Sequence, residues 1–210
     1  CQVFEKVNTG GVTLSVFELV TATFAADEFA LRDDWNVRRE RLSEYDVLDA
    51  VDETAFLTSI TLLASWLRSQ GGKSPVSCKR RDVLDLSLGD YRTQADAVER
   101  AFIRAARFLA QQKVFDVRTL PYGTQLIPLA AICAALGDRF ENDTTKRHRA
   151  RWLWCGVFGE LYGGANETRY AMDLPDVLRW IDGGEEPRTI RNASFTPVRL
   201  LSLQTRQSAA

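Results

Sequence analysis

The sequence has only one histidine, His148, and four cysteines that are far apart. One histidine excludes a two-histidine metal site and a histidine-based catalytic triad, unless residues from outside the chain complete them. Cys1, Cys78, Cys133 and Cys155 form no CxxC pair, which argues against a zinc ribbon and a disulfide framework. Cys133 and Cys155 lie in apolar helical patterns, where buried free thiols are expected. We therefore assign no metal ligand and no catalytic residue.

The sequence also lacks long apolar runs and an excess of charge. No segment approaches the roughly 18–20 apolar residues that span a bilayer, and the first residues are mixed and polar, unlike a signal peptide. These features predict a cytoplasmic protein with no membrane partner. Because 27 basic and 28 acidic residues give a net charge of −1, local basic patches would have to bind any nucleic acid.

What the chain does contain is the periodicity of helices. It predicts a mainly α fold, an irregular multi-helix bundle of about eight helices with at most one short strand, at residues 2–7. A core built from the tryptophans and leucines needs no disulfides. The predicted helices cover residues 16–26, a segment capped by Asp33 or Asp34, 53–70, 79–84, 94–111, 126–136, 145–161, a helix from Asp173 to Asp182, and a last helix opened by Thr196, with 189–195 as a connector.

The opening segment is the strongest candidate for a binding site. Ser15 and Glu18 have the spacing of a capping box, so a turn precedes a capped helix. In such a turn glycines let the backbone approach a phosphate, and the helix start favours an anion. An asparagine side chain can bond a phosphate oxygen or coordinate a metal ion. The turn residues are Asn8, Thr9, Gly10 and Gly11. On spacing alone, a purely structural turn is the simpler interpretation.

The same segment resembles the signature F-x-x-x-N-x-x-G-x-x-L-S of the family called domain of unknown function 262. The matching residues are Phe4, Asn8, Gly11, Leu14 and Ser15. The resemblance continues in three further blocks, at residues 120–130, 151–173 and 199–210, so its separated blocks are spread over most of the chain. Several separated blocks are more specific than one motif.

The resemblance implies a part of a GmrSD-type, modification-dependent restriction protein that serves phage defence. Such proteins have a ParB-like domain that binds and hydrolyses a nucleoside triphosphate with Mg²⁺, and a carboxy-terminal HNH nuclease domain that cuts DNA. Neither the family's D-G-Q-Q-R motif nor an HNH motif occurs in the chain. An internal fragment is therefore expected, with residues 1–30 ending the ParB-like domain and 31–210 forming a helical region before the nuclease domain. We also expect the loss of upstream residues to expose the apolar face of helix 16–26 and to cause self-association.

By the same resemblance, the residues that line the triphosphate site are Asn8, Thr9, Gly10 and Gly11, with Ser15 fixing the helix start. The comparable ParB motif ends in an arginine, and this chain has Gly11 in its place. Charge neutralisation from this segment alone is therefore in doubt.

Two basic clusters are candidates for DNA contacts. The first is Lys79, Arg80 and Arg81, which follow a loop; the second is Lys146, Arg147 and Arg149 at the start of a helix. Basic residues at a helix start oppose the helix dipole, a local cost that a function would explain. A solvated face, or pairing with Glu141 and Asp143, is the competing interpretation. These clusters also support an alternative function, a helical DNA-binding or scaffolding module without a nucleotide role.

Overall fold

The computed structural model describes residues 14–72, 74–164 and 166–195. These ranges are helical and contain no β-strand, which confirms the predicted mainly α bundle. Their nine α-helices are α1 (Val16–Ala25), α2 (Leu31–Leu42), α3 (Glu53–Gln70), α4 (Arg80–Leu84), α5 (Leu88–Gln111), α6 (Leu126–Leu136), α7 (Asp143–Phe158), α8 (Glu167–Ile181) and α9 (Arg188–Arg191). Short 3₁₀ turns occur at Asp46–Ala50, Gly123–Gln125 and Gly137–Glu141. The predicted strand at 2–7 and the predicted helix from Thr196 lie outside the described residues.

Helix α6 lies at the centre of the bundle, as its apolar sequence predicts. Nine of its 11 residues are buried, and it packs against α3, α5 and α8. Pro128 is in the first turn, where its missing N–H leaves no bond unmade. None of the described helices is long and apolar enough to cross a membrane.

The long helices α3 and α5 enclose α6. The Asp52 carboxylate caps α3 by accepting from the Ala55 N–H at 2.7 Å, and the bounds of α3 match the prediction. Helix α5 begins six residues before the predicted start because Ser87 caps it through the Asp90 N–H at 3.0 Å. The apolar stripe of α5 is buried, namely Val98, Phe102, Ala105, Ala106 and Leu109. Leu67 of α3, which continues the apolar spacing of Phe56, Ile60 and Leu63, is instead 43% exposed.

Helix α1 packs into the same core. Val16, Phe17, Val20 and Phe24 are all buried, and the helix contacts α2, α3 and α4. The expectation that its apolar face is exposed is therefore wrong, because neighbouring helices of the same chain cover that face.

Helix α2 begins at Leu31 after Ala30, without a side-chain cap. The predicted cap at Asp33 or Asp34 is wrong because both residues lie inside the first turn. The Asp34 carboxylate instead accepts from Arg38 Nε at 2.7 Å and from the Tyr91 hydroxyl at 2.5 Å. Arg38 is buried and lies 2.5 Å from Glu99 Oε2. These charges join α2 to α5.

The end of the chain differs most from the prediction. Helix α8 begins at Glu167, six residues before the predicted cap at Asp173, which lies inside the helix. Pro175 lies inside this helix, although proline favours a first helical turn. Residues 189–195 were predicted to be a connector, but they include most of the short helix α9.

Candidate functional site

Of the predicted phosphate-binding residues, the structure describes only Ser15, which precedes α1. The Ser15 hydroxyl accepts from the Glu18 N–H at 3.2 Å, and the Glu18 carboxylate accepts from the Ser15 N–H at 2.7 Å. This pair is the predicted capping box, and the bond from the Ser15 N–H lowers the pKa of Glu18. The other predicted residues, Asn8, Thr9, Gly10 and Gly11, lie outside the described residues.

A cavity of about 450 Å³ opens beside Val16, the first residue of α1. The starts of α3, α4 and α8 and the 3₁₀ turn Gly123–Gln125 form its other walls. Its volume is in the range of small-molecule sites. The polar lining includes Asp52, Thr54, Thr58, Arg80, Thr124, Asn166 and Glu167. The cavity therefore offers hydroxyl, amide, carboxylate and guanidinium groups to one ligand.

Hydrogen bonds fix the wall formed by α8 and the 3₁₀ turn. The buried Asn166 side chain donates to the Tyr162 carbonyl at 2.8 Å and to the Thr124 hydroxyl at 3.4 Å. The Thr124 hydroxyl donates to the same carbonyl at 3.0 Å. This wall is therefore held in place before any ligand binds.

The close approach of this wall to α7 requires a glycine. A Cβ at Gly156 would lie 2.6 Å from both Gln125 Nε2 and the Tyr162 ring. Gln125 Nε2 donates to the Leu153 carbonyl at 3.2 Å, so the 3₁₀ turn is bonded directly to α7. A larger residue at position 156 would push the wall away.

Two charged groups in the cavity lining are free. Arg80 is exposed and Glu167 is partly exposed. No described residue forms an ion pair or a side-chain hydrogen bond with either group. The cavity thus presents an unpaired cation and an unpaired anion, which are available to a ligand.

Cys78 lines the cavity but is not a reactive thiol. Its Sγ donates to the Glu167 carbonyl at 3.7 Å, and burial raises the pKa of Cys78 to about 12. The thiol is therefore protonated near neutral pH, and its role is packing.

Arg80 of the first basic cluster lines this cavity. Lys79, Arg80 and Arg81 are exposed, and no carboxylate among the described residues lies within ion-pair distance of them. The nearby Asp82 carboxylate is engaged instead by the Lys79 N–H at 2.9 Å and the Ser77 hydroxyl at 2.5 Å. All three cations are therefore free to meet an anion.

The second cluster, on α7, does not stay free. Lys146 lies 3.3 Å from Asp143, which is the pairing that the competing interpretation predicted. Arg149 is 0% exposed, and its guanidinium lies over the Phe140 and Phe108 rings at 3.8 and 4.5 Å. The prediction that Arg149 contacts DNA is therefore wrong. Only Arg147 of this cluster is exposed and free of partners among the described residues.

The burial of Arg149 follows a pattern that the sequence contains. Thr145, Arg149, Trp152 and Gly156 are spaced by four, three and four residues and are all buried. The guanidinium donates to the Phe140 carbonyl, and Nη2 lies 3.8 Å from the exposed Glu141 carboxylate, which is the second pairing of the competing interpretation. Nε and Nη2 have no hydrogen-bond partner in the described part of the chain. Burial lowers the pKa of Arg149. Arg149 was predicted to be exposed because it is charged, although its spacing from Thr145 and Trp152 is that of a buried helix face.

A second buried charge, Asp173, was also missed. Its carboxylate accepts from the Tyr162 hydroxyl and from the Thr189 hydroxyl, the latter at 2.5 Å. Burial raises the pKa of Asp173, and the two hydroxyl groups oppose that rise. These bonds tie α9 and the Tyr162 loop to α8, so the group stabilises the wall behind the cavity.

Metal-binding side chains are dispersed in the residues that the structure describes. No three of their histidine, cysteine, aspartate and glutamate side chains form a cluster that would hold a metal ion. His148 packs edge-on against Trp180, with ring centroids 4.1 Å apart.

Comparison with known proteins gives one distant relative. The chain is 25% identical over 201 residues to an uncharacterised protein, MJ0686, of Methanocaldococcus jannaschii. The match covers 90% of this chain and 32% of that protein, so the chain spans about a third of its relative's length. No family model matches the sequence. No solved structure matches it either.

Proposed function

We propose that the cavity at the start of α1 binds the phosphates of a nucleoside triphosphate with Mg²⁺. The chain is then part of an NTP-dependent DNA restriction protein of the domain of unknown function 262 type. Its residues 31–210 form the helical region that couples the nucleotide site to a DNA-cleaving domain. The observation that carries the proposal is that Arg80, which has no ion-pair partner among the described residues, lines a cavity beside the start of α1, with the exposed Lys79 and Arg81 on either side of it in the sequence.

Charge supports phosphate as the ligand. The comparable ParB motif ends in an arginine that this chain replaces with Gly11, and Arg80 in the cavity lining supplies a guanidinium that can take its place. A guanidinium binds phosphate oxygens through two parallel hydrogen bonds. The starts of α1, α3 and α8 add the positive ends of three helix dipoles around the same space.

The carboxylates of the lining suit the Mg²⁺ of a nucleotide complex. Mg²⁺ prefers oxygen ligands and keeps several waters. In this proposal Glu167, whose carboxylate has no partner among the described residues, faces those waters. The resemblance adds Asn8, which lies outside the described residues, as a second oxygen donor.

The test is titration calorimetry of the chain with GTP, CTP and ATP in the presence of MgCl₂. We expect at least one triphosphate to bind, and Arg80→Ala to weaken its binding by roughly tenfold or more because a charge-assisted bond to phosphate is lost. Asn8→Ala should also weaken it. Arg118→Ala removes an exposed arginine from another part of the surface and should change nothing. If all triphosphates fail to bind, or if Arg80→Ala binds like the parent, the proposal is wrong.

The second candidate function is a helical DNA-binding or scaffolding module without a nucleotide role. The observation in its favour is again that Lys79, Arg80 and Arg81 have no ion-pair partner in the described part of the chain. In that case the triple alanine variant loses DNA affinity and salt dependence, while Asn8→Ala leaves every ligand unaffected. The response to Asn8→Ala separates the two functions.

A further inference from the structure

We infer that three arginines on one face of α5, Arg100, Arg104 and Arg107, form a docking stripe for the phosphate backbone of duplex DNA. None of them lines the cavity at α1. The inference therefore adds a DNA surface that neither predicted basic cluster includes, and it does not depend on nucleotide binding.

The spacing of the stripe fits a phosphate backbone. Positions i, i+4 and i+7 lie on the same face of a helix, and seven residues at 1.5 Å each span about 10.5 Å. One strand of B-DNA carries a phosphate every 3.4 Å along its axis, so a row of cations of this length can contact more than one phosphate of a strand.

Helix α5 does not neutralise this charge itself. From residue 100 to 113 the sequence contains only basic charges. The carboxylates in the earlier part of α5 are held by arginines of other helices. These ion pairs are Asp90 with Arg68, Asp96 with Arg38, and Glu99 with Arg41.

The stripe also has few partners outside α5. Arg100 has no hydrogen bond or ion pair with any described residue. Arg107 donates to the neutral Tyr45 hydroxyl at 3.2 Å. Arg104 lies 3.0 Å from Asp138, whose side chain is 99% exposed, and such surface pairs contribute little to stability.

The stability of α5 gives no reason for the stripe. Like charges at i, i+3 and i, i+4 destabilise a helix. The last turn of α5, where cations would favour the helix dipole, contains no basic residue. The arrangement therefore destabilises the helix by itself, and a bound anion relieves the repulsion.

The surface beside the stripe allows a DNA strand to approach closely. A groove of about 190 Å³ lies between α5 and α6, with Arg100 and Arg104 at its edge. Its other lining residues are mostly small, namely Ala97, Ala101, Cys133, Ala134 and Gly137. Asp138 lies at the same edge, where its carboxylate competes with a phosphate for Arg104.

The test is fluorescence anisotropy of a labelled DNA duplex with the full chain at rising KCl. We expect Arg100→Ala/Arg107→Ala to lose affinity by roughly tenfold per phosphate contact at low salt, and the salt slope to fall by about 2. Asp138→Asn should bind several-fold more tightly because it removes the competing carboxylate. The control Arg118→Ala/Arg191→Ala removes two exposed, ion-paired arginines and makes the same change in net charge. It should bind like the parent.

Three results overturn the inference: no binding by the parent at the lowest salt, equal losses in the double variant and its control, or weaker binding by Asp138→Asn. Thermal melts of each variant show that the fold is intact. The triphosphate titration with Arg80→Ala is a separate measurement, so the nucleotide proposal and the DNA stripe can fail independently.

Discussion

Helices α4 and α7 each carry a run of basic residues near the start, but only the run on α4 leaves its charges free. Lys79, Arg80 and Arg81 are exposed without an ion-pair partner among the described residues. On α7, Lys146 is paired with Asp143, and Arg149 is fully buried. The two runs look alike in sequence and differ in what they can bind.

The difference arises from how much of each helix is covered. Helix α4 has five residues and buries only Val83, so its basic residues point to solvent. Helix α7 has 16 residues and packs against α8 and α9. One residue in every turn of α7 must then face inward, and Arg149 occupies such a position. A charge run on a long packed helix is therefore weaker evidence for a ligand site than one on a short exposed helix.

The largest expected effect comes from replacing Arg149. Arg149→Ala should lower the free energy of unfolding by about 2–5 kcal/mol, because the stacking on Phe108 and Phe140 is lost and a cavity remains. Arg149→Met keeps most of the volume and avoids burying a charge, so it should cost less. Urea denaturation measures both.

Arg147→Ala is the matched control for Arg149, since it removes a neighbouring but exposed arginine. It should change the free energy of unfolding by less than about 0.5 kcal/mol. Equal losses of unfolding free energy in Arg147→Ala and Arg149→Ala would show that Arg149 is not the more buried of the two arginines.

The next effect concerns the pH dependence of the buried Asp173. Because burial raises its pKa in the folded state above that of the unfolded chain, the folded state holds its proton more strongly. The stability of the parent relative to Asp173→Asn should therefore fall as pH rises from about 3.8 through the folded pKa, and then level off. Denaturation of both proteins across this range gives the difference. A difference that grows with pH would contradict the burial of this carboxylate.

The smallest change in the free energy of unfolding is expected for the exposed cluster Lys79–Arg81. Lys79→Ala/Arg80→Ala/Arg81→Ala should leave the free energy of unfolding within about 0.5 kcal/mol of the parent, since no partner is lost and cations at a helix start oppose its dipole. Lys146→Ala should cost at most about 0.5 kcal/mol, the value of an exposed helical pair. If the triple variant lost more than about 2 kcal/mol of unfolding free energy, the cluster would stabilise the fold and would not be free to bind an anion.

The bounds of a helix were predicted well where the signals for them lie within that helix. The bounds of α3 and α6 and the Ser15–Glu18 capping box follow from apolar period and from hydrogen bonds between residues three or four apart. The start of α8 could not be found in this way. The residue before it, Asn166, donates to the Thr124 hydroxyl and to the Tyr162 carbonyl, and the contact with Thr124 spans more than 40 residues.

The candidate site was predicted only in part for the same reason. The capping box at Ser15 was predicted from its spacing, and the cluster Lys79–Arg81 was recognised from composition. That Val16 and Arg80 border one cavity, together with Asp52 and Glu167, depends on the packing of α1, α3, α4 and α8. No spacing along the chain connects residues that far apart.

By itself the sequence determined the helical class, the central position of α6 and the capped start of α1, because periodicity and capping act within a few residues. Only the tertiary structure decided which charges are free. Arg149 and Asp173 became buried, and Lys79–Arg81 and the α5 stripe stayed exposed, because burial depends on helices from distant parts of the chain. Whether a charge meets a carboxylate, an aromatic ring or water is a property of those contacts.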